Sequence, residues 1–237
     1  MSIRGRKFID FLRYNVPFLS GSTSAPIHKT SYWDAIYKDS FLFEWGVQPK
    51  ILADELMGMQ KGPTCVLGAG TSVLGSELAQ RGFKPLVQCD FSPEIVKKRE
   101  KEDVPFKLAD ATKTEDLKSL LAFLEVKQFQ NIVDKGLIDG LYLGGETSSL
   151  LISDVISSCS HVLTPNTGTL SFVSFSPPKH MVPLLGKNAP LAFKIDCREI
   201  ADPPIYLYEM RVREEKRRRT VHQKHQDKTR KRNQKRR

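Results

Sequence analysis

The segment TCVLGAGTSVLG, residues 64–75, begins as an apolar run, bends through two glycines and continues into a helix-like sequence. Glycines at such a bend let the backbone approach a ligand closely, and the first turn of the following helix presents unpaired N–H groups. The spacing differs from the dinucleotide-binding pattern G-x-G-x-x-G, because Val73 stands where the third glycine belongs. The segment predicts a strand–turn–helix unit, which alone fits either a ligand site or a tight connection.

Short β-branched runs alternate with helical stretches on either side of this segment. The alternation predicts an α/β fold, a Rossmann-like doubly wound sheet of seven strands with helices on both faces. The last two strands follow a Pro-rich loop without a helix between them, which predicts an antiparallel hairpin at the C-terminal edge of the sheet. The predicted strands are Thr64–Leu67, Pro85–Cys89, Phe106–Leu108, Asn131–Asp134, Thr169–Phe175, Leu191–Cys197 and Ile205–Arg211, and the predicted helices are Pro49–Gln60, Leu74–Arg81, Pro93–Glu102, Glu115–Phe123 and Ser148–Val162.

Charge and composition divide the 237 residues into three parts. Residues 211–237 hold 14 Lys and Arg against three acidic residues, so this tail carries +11, while residues 1–210, with 23 basic and 24 acidic groups, carry −1. The tail is almost free of apolar residues and is predicted to be disordered. Residues 31–210 are long enough for one catalytic domain, and no apolar run approaches the ~20 residues of a membrane span.

The first thirty residues are predicted to be a leader and a linker that is rich in Ser, Thr and Pro. Wound as a helix, this leader places apolar residues on one side, namely Phe8, Ile9, Phe11, Leu12 and Val16. An amphipathic, arginine-containing and acid-poor N-terminus is typical of a mitochondrial transit peptide. The same pattern equally fits a helix that packs on the domain.

Asp90 ends the second predicted strand, twenty residues after Gly70. An acid at this place can accept hydrogen bonds from both ribose hydroxyls of a bound nucleoside. Together with the glycine turn it predicts a nucleoside-containing cofactor, without distinguishing a nicotinamide cofactor from S-adenosylmethionine. No metal is expected, because the histidines show no ligand spacing; they are His28, His161, His180, His222 and His225.

Several further motifs occur in an order that resembles a known enzyme group. That group is the methyltransferase-like lysine methyltransferases, class I S-adenosylmethionine-dependent enzymes that include those modifying elongation factor 1-alpha and mitochondrial citrate synthase. The G-x-G-T-S-x-L turn and the D-F-S-P after strand two are most similar to the citrate synthase enzyme. The motifs, which span residues 32–210, are Tyr32-Trp33-Asp34 with Tyr37, Phe43-Glu44-Trp45, Gly68-Ala69-Gly70-Thr71-Ser72, Asp90-Phe91-Ser92-Pro93, Ala109-Asp110-Ala111 and Asp134-Lys135-Gly136 with Asp139.

The resemblance implies S-adenosylmethionine as cofactor and a role for each matching residue. Aromatic faces suit a sulfonium cation, so three aromatic residues are expected to close over the methionine end. Asp134 is the candidate catalytic acid near a substrate lysine. The expected cofactor-binding residues are Trp33, Tyr37 and Trp45 over the methionine end, Gly68 and Gly70 in the turn, Asp90 on the ribose, Phe91, Asp110 and Ala111 around the adenine, and Lys135 near the methionine moiety.

Structural alternatives stand beside these roles. Without the family pattern, the three aromatic residues are typical core side chains, Asp110 suits a helix N-cap and Lys135 suits a solvated turn. Two departures weaken the resemblance: Val66 stands two residues before the first glycine, where most class I methyltransferases carry an acid, and the chain after Trp45 is shorter than in relatives. These departures also fit an inactive relative that keeps the fold as a binding module with an RNA-contacting tail.

The expected function is S-adenosylmethionine-dependent protein-lysine N-methylation, with citrate synthase or elongation factor 1-alpha as candidate substrate. The four cysteines, Cys65, Cys89, Cys159 and Cys197, form no close pairs, which favours reduced thiols and a reducing compartment. The leader and the resemblance favour the mitochondrial matrix. The basic tail instead fits a nuclear or nucleolar signal, or an arm that binds nucleic acid or another polyanion, so the nucleus and the cytoplasm remain alternatives.

Overall fold

The computed structural model describes residues 28–38, 44–142, 148–188, 193–202 and 204–212. The amphipathic leader and its linker, Phe43, the first two residues of the sixth predicted strand, and the basic tail beyond residue 212 lie outside the described residues. No helix in the described ranges is long and apolar enough to cross a membrane.

Seven strands form one sheet in the order β3-β2-β1-β4-β5-β7-β6. Strands β1 to β5 run parallel to one another, whereas β7 runs antiparallel to both β5 and β6. This arrangement confirms the predicted doubly wound α/β sheet and its antiparallel hairpin at the C-terminal edge. The strands are β1 Thr64–Leu67, β2 Leu86–Asp90, β3 Phe106–Leu108, β4 Asn131–Asp134, β5 Thr169–Ser174, β6 Phe193–Ala201 and β7 Ile205–Val212.

Helices connect the strands and cover both faces of the sheet. Pro49 and Pro93 start two of them. Residues in the first turn of a helix donate no intrahelical hydrogen bond, so the missing N–H of proline removes none there. The helices are α1 Thr30–Lys38, α2 Pro49–Glu55, α3 Leu74–Gln80, α4 Pro93–Lys98, α5 Thr114–Phe123, α6 Leu137–Tyr142, α7 Ser148–Val162 and α8 Pro178–Asn188.

Three of these helices were not among the predicted elements: α1, α6 and α8. Helix α8 shows that the expected Pro-rich loop before the hairpin is wrong. Pro178 lies in the first turn, where proline is tolerated, and Met181 and Leu185 are fully buried against the sheet side of the helix. The burial of these apolar residues outweighs the helix-breaking tendency of Pro183 inside the helix.

Two hydrophobic clusters lie on opposite faces of the sheet because side chains alternate along each strand. In β1, Cys65 and Leu67 belong to the cluster that includes residues of α5 to α8, while Val66 belongs to the cluster with residues of α1 to α4. Phe172 of β5 stacks on Tyr208 of β7, with ring centroids 4.8 Å apart. The hairpin is thereby joined to the core of the parallel sheet.

The strand order reverses between β1 and β4. From β1 the chain proceeds outward through β2 and β3, and β4 then pairs with the other side of β1. Ligands of open α/β sheets bind at such a switch point, beyond the carboxyl ends of the strands. The fold therefore brings the segments that follow β1, β2 and β4 to one edge.

Candidate active site

The turn after β1 depends on two glycines in the left-handed region. Gly68 has φ +52° and Gly70 has φ +48°. A Cβ at Gly68 would lie 2.9 Å from the Cβ of Leu137, and one at Gly70 would lie 2.7 Å from the hydroxyl oxygen of Tyr37. Both the backbone conformation and the close neighbours therefore require glycine, and the predicted strand–turn–helix unit is confirmed.

Arg99 stabilises this turn through a hydrogen bond to its backbone, a role that the sequence did not reveal. Its guanidinium donates to the carbonyl of Gly70 at 2.7 Å, to the Gln88 amide oxygen at 3.3 Å and to both carboxylate oxygens of Glu102 at 2.6 and 2.7 Å. It also lies 4.5 Å from the ring centroid of Phe106. Arg99 is only 6% exposed, although its charged sequence neighbourhood is typical of a solvated helix face.

Asp90 is buried at the end of β2 and faces the glycine turn. One carboxylate oxygen accepts the Gly70 N–H at 3.0 Å, and the other accepts the Ser92 N–H at 3.0 Å. Burial raises the pKa of Asp90 to about 6, although the N–H donors of Ser92 and Gly70 oppose this shift. The Phe91 N–H also donates to this carboxylate, so about one of its roughly four lone-pair sites remains for a ligand hydroxyl.

Helix α1 places an aromatic pair at the wall of the site. The Trp33 and Tyr37 rings stack at a centroid distance of 5.8 Å and an interplanar angle of 28°. Tyr37 is 4% exposed. The helix is fixed to α4 by the Ser92 hydroxyl, which donates to Asp34, and by the Lys98 ammonium, which donates to the Tyr37 carbonyl.

Trp45 is tied by hydrogen bonds to the segment after β4. Its indole N–H donates to Asp139 at 3.2 Å, and its carbonyl accepts from the Lys135 ammonium at 2.8 Å. The same ammonium donates to a carboxylate oxygen of Glu44 at 2.6 Å. A Cβ at Gly136 would lie 2.7 Å from Cγ of Trp45, so the absence of a side chain at Gly136 permits this packing.

Asp139 connects three separate segments of the chain. It accepts hydrogen bonds from the Ser174 hydroxyl, from the Phe175 N–H at 3.1 Å and from Trp45. Burial raises its pKa to about 6, despite the donors from Ser174 and Trp45. The sequence motif contained this aspartate, but its role as the junction between the Trp45 segment and the end of β5 is visible only in the structure.

Asp134, the candidate catalytic acid, is fully buried and caps α6. One oxygen accepts the Gly136 and Leu137 N–H groups at 2.8 and 2.7 Å, and the other accepts the Ile138 N–H at 2.9 Å. Burial raises its pKa to about 6 against these backbone donors. The side chain does not line the cavity described below. Its geometry is that of a residue that positions Lys135 and Gly136, and direct action on a substrate amine stays a prediction.

Asp110 follows β3 and forms a turn of its own. It accepts from the Thr112 N–H at 3.0 Å and hydroxyl at 2.7 Å, and pairs with the Lys113 ammonium at 3.2 Å. Partial burial raises its pKa, but the donors from Thr112 and Lys113 outweigh burial and lower it. Lys113, not Asp110, occupies the N-cap position of α5, and its side chain makes no capping hydrogen bond. Asp110 is therefore available at the edge of the site, and the N-cap alternative is wrong.

One cavity brings all ten predicted cofactor-binding residues together. It encloses about 1100 Å³ including its open mouth. Its lining also contains residues to which the sequence assigned no role in cofactor binding, among them His28, Glu44, Leu141, Leu151 and Val155. Within the described ranges, no group of His, Cys, Asp and Glu could hold a metal ion. The ten are Trp33, Tyr37, Trp45, Gly68, Gly70, Asp90, Phe91, Asp110, Ala111 and Lys135.

Solved methyltransferase structures share this fold. One is a TehB-like S-adenosylmethionine-dependent methyltransferase from Corynebacterium glutamicum, with TM-score 0.50 and 9% identity over 80% of this chain and 100% of that one. Another is a putative S-adenosyl-L-methionine-dependent methyltransferase from Methanococcus maripaludis, with TM-score 0.50 and 12% identity over 83% and 97%. No protein-family model and no curated protein matches the chain. At these identities the likeness shows the fold, which is the Rossmann-like class I methyltransferase fold.

Proposed function

We propose that the chain is an S-adenosylmethionine-dependent methyltransferase whose cofactor binds in the cavity at the switch point. The observation that carries this proposal is the meeting, in one cavity, of the two forced glycines, the buried Asp90 carboxylate and the stacked Trp33 and Tyr37 rings. A cavity with these three features fits each chemical part of that cofactor.

The fit holds for each part in turn. The Asp90 carboxylate keeps acceptor capacity for a ribose hydroxyl beside its backbone donors. The aromatic faces of Trp33 and Tyr37 attract a sulfonium cation. The half-buried Phe91 ring and the buried Ala111 offer apolar surface to an adenine.

The protein's contribution to methyl transfer is position and desolvation. The bound cofactor supplies an activated methyl group on a positively charged sulfur. The Trp45 and Tyr37 walls exclude water from the place where a nucleophile must approach, and burial of an amine in such surroundings lowers its pKa and favours the neutral form. Methyl transfer to a neutral amine that is held about 3 Å from the methyl carbon then needs no strong base.

We infer a protein lysine as the substrate. This inference is supported by the Asp134-Lys135-Gly136 element with Asp139, which has the order found in the lysine methyltransferases that the sequence resembles and which forms the joint between the Trp45 segment and β4. Citrate synthase and elongation factor 1-alpha are the candidate substrates. The leader supports a mitochondrial location, and the basic residues beyond 212 are proposed to contact polyanions through salt-sensitive binding.

Calorimetry with S-adenosylhomocysteine tests the cofactor assignment on the full chain. We expect micromolar binding, at least tenfold weaker in Asp90→Asn, because hydrogen bonds to a charged acceptor are the stronger ones. Asp103→Asn, which changes an exposed aspartate outside the cavity, is the matched control and should bind like the unchanged protein. Lack of binding at high micromolar concentration would overturn the proposal in favour of a binding module, a reading that the apolar Val66 supports.

To test the substrate, the purified full chain and methyl-labelled cofactor are added to a lysate of cells that lack this protein. We expect label on a lysine side chain, identified by mass spectrometry, with citrate synthase and elongation factor 1-alpha as the first proteins to inspect. Label that appears only on RNA would refute the protein-lysine inference while leaving the cofactor assignment intact.

A further inference from the structure

The amino-acid end of S-adenosylmethionine is a zwitterion, and this inference rests on the proposed cofactor. An ammonium and a carboxylate that leave water need partners of opposite charge or several hydrogen bonds. The glycine turn itself supplies only backbone groups. Charged partners must therefore come from side chains of the cavity near the Gly68 turn and the end of β4.

The described residues that line the cavity include few ionisable groups. Asp90 ends β2 and Asp110 follows β3, on the side of the site proposed for the adenosine. Beneath the turn, β1 carries Val66, which is apolar and 1% exposed, so the strand itself offers no acid. The charged side chains at the β4 end of this lining are Glu44 and Lys135.

Glu44 bridges the segment after β4 and the N-terminus of α3. One carboxylate oxygen lies 2.6 Å from the Lys135 ammonium, and the other accepts the Val73 N–H at 3.3 Å. The Glu44 side chain is 26% exposed, while that of Lys135 is 5% exposed. Glu44 is thus the more exposed member of this ion pair, and Lys135 is the more buried one.

Both groups keep hydrogen-bonding capacity after these contacts. The Lys135 ammonium has three donors, of which Glu44 and the Trp45 carbonyl take two. The Glu44 carboxylate has about four acceptor sites, of which Lys135 and Val73 take two. Desolvation lowers the pKa of Lys135, and the Glu44 carboxylate opposes that shift and favours its charged form.

We propose that Glu44 and Lys135 together bind the zwitterionic amino-acid end of the cofactor, with Glu44 accepting from the ammonium and Lys135 donating to the carboxylate. The pair selects ligands that carry an amino-acid end over nucleosides that lack it.

Three ligands separate the two halves of this pair in calorimetry on the full chain. S-adenosylhomocysteine carries both charges, its desamino analogue carries only the carboxylate, and 5′-methylthioadenosine carries neither. Glu44→Gln should weaken S-adenosylhomocysteine about tenfold or more and leave the other two ligands within twofold. Lys135→Met should weaken S-adenosylhomocysteine and the desamino analogue, again leaving 5′-methylthioadenosine within twofold.

Glu100→Gln removes an exposed carboxylate outside the cavity and is the matched control, with no change expected for any ligand. Unchanged 5′-methylthioadenosine binding also shows that each variant is folded at the site. Equal weakening of all three ligands by Glu44→Gln, or no weakening of S-adenosylhomocysteine, overturns this inference alone. Failure of the unchanged protein to bind S-adenosylhomocysteine overturns the proposed function, and this inference with it.

Discussion

Gly70→Ala is expected to be costly for two separable reasons. The first is the backbone, since φ +48° lies in the left-handed region, where a residue with a Cβ costs about 1–2 kcal/mol. The second is the Tyr37 hydroxyl, 2.7 Å from the new Cβ. Tyr37 is buried and stacked on Trp33, so its ring has little room to shift, and overpacking of this kind costs about 1–3 kcal/mol. The free energy of unfolding should fall by about 2–5 kcal/mol.

Tyr37→Phe separates the two reasons. It removes the hydroxyl, and the next ring atoms lie at 3.6 and 3.9 Å, which is ordinary contact. In the Tyr37→Phe background, Gly70→Ala should therefore keep only the backbone cost of about 1–2 kcal/mol. The difference between the two backgrounds, about 1–3 kcal/mol, measures the clash.

Equilibrium urea unfolding gives this difference directly when it is measured on four proteins: the unchanged chain, Gly70→Ala, Tyr37→Phe and the double variant. Gly82→Ala is the control, because Gly82 has φ +86° and no atom within 4 Å of its added Cβ. Its cost should be the backbone cost alone and should not depend on Tyr37. An equal cost of Gly70→Ala in both backgrounds would refute the close approach of Tyr37 to the turn.

Three further predictions follow from buried contacts of the site. Affinity for S-adenosylhomocysteine should fall as the pH drops from 7 through about 6, where Asp90 takes up a proton and loses acceptor capacity. The same calorimetric titration of Asp90→Asn should lack this step, and a step that persists would assign it elsewhere. Trp45→Phe keeps a ring but removes the donor to buried Asp139, so urea unfolding should show a loss of about 1–3 kcal/mol, and unchanged stability would contradict the bond. Gly75→Ala should lower the free energy of unfolding by about 1–3 kcal/mol despite the better helix propensity of alanine, because the added Cβ would lie 2.2 Å from Cδ of Gln88. A gain in stability would show that the Gln88 side chain can move.

The sequence predicted the parts of the site that depend on local order. The glycine turn and Asp90 follow strands whose apolar residues are contiguous in the chain, and parallel pairing of β1 with β2 places them side by side. The bond from the Gly70 N–H to Asp90 is the direct result of that pairing. The hairpin was likewise predictable, because no helical segment separates its two strands.

The parts that escaped prediction depend on partners far apart in the chain. Arg99 reads as a surface residue because its neighbours are charged, and its partner Gly70 lies 29 residues away. The hydrogen bonds from Asp134 to the first turn of α6 were not foreseen, because the sequence did not predict that helix. The Lys135 contact with Glu44 spans 91 residues, which no local pattern encodes.

The position of β7 inside the sheet has a consequence for synthesis of the chain. In the described sheet, β6 pairs with β7 alone, and β7 also covers the edge of β5. A nascent chain therefore exposes the β5 edge until residues 205–212 have left the ribosome, and an open edge invites pairing with another chain. A chain that stops before Ile205 also lacks the buried Leu207, Tyr208 and Met210. The last described strand is thus the one whose arrival protects a half-made protein from aggregation.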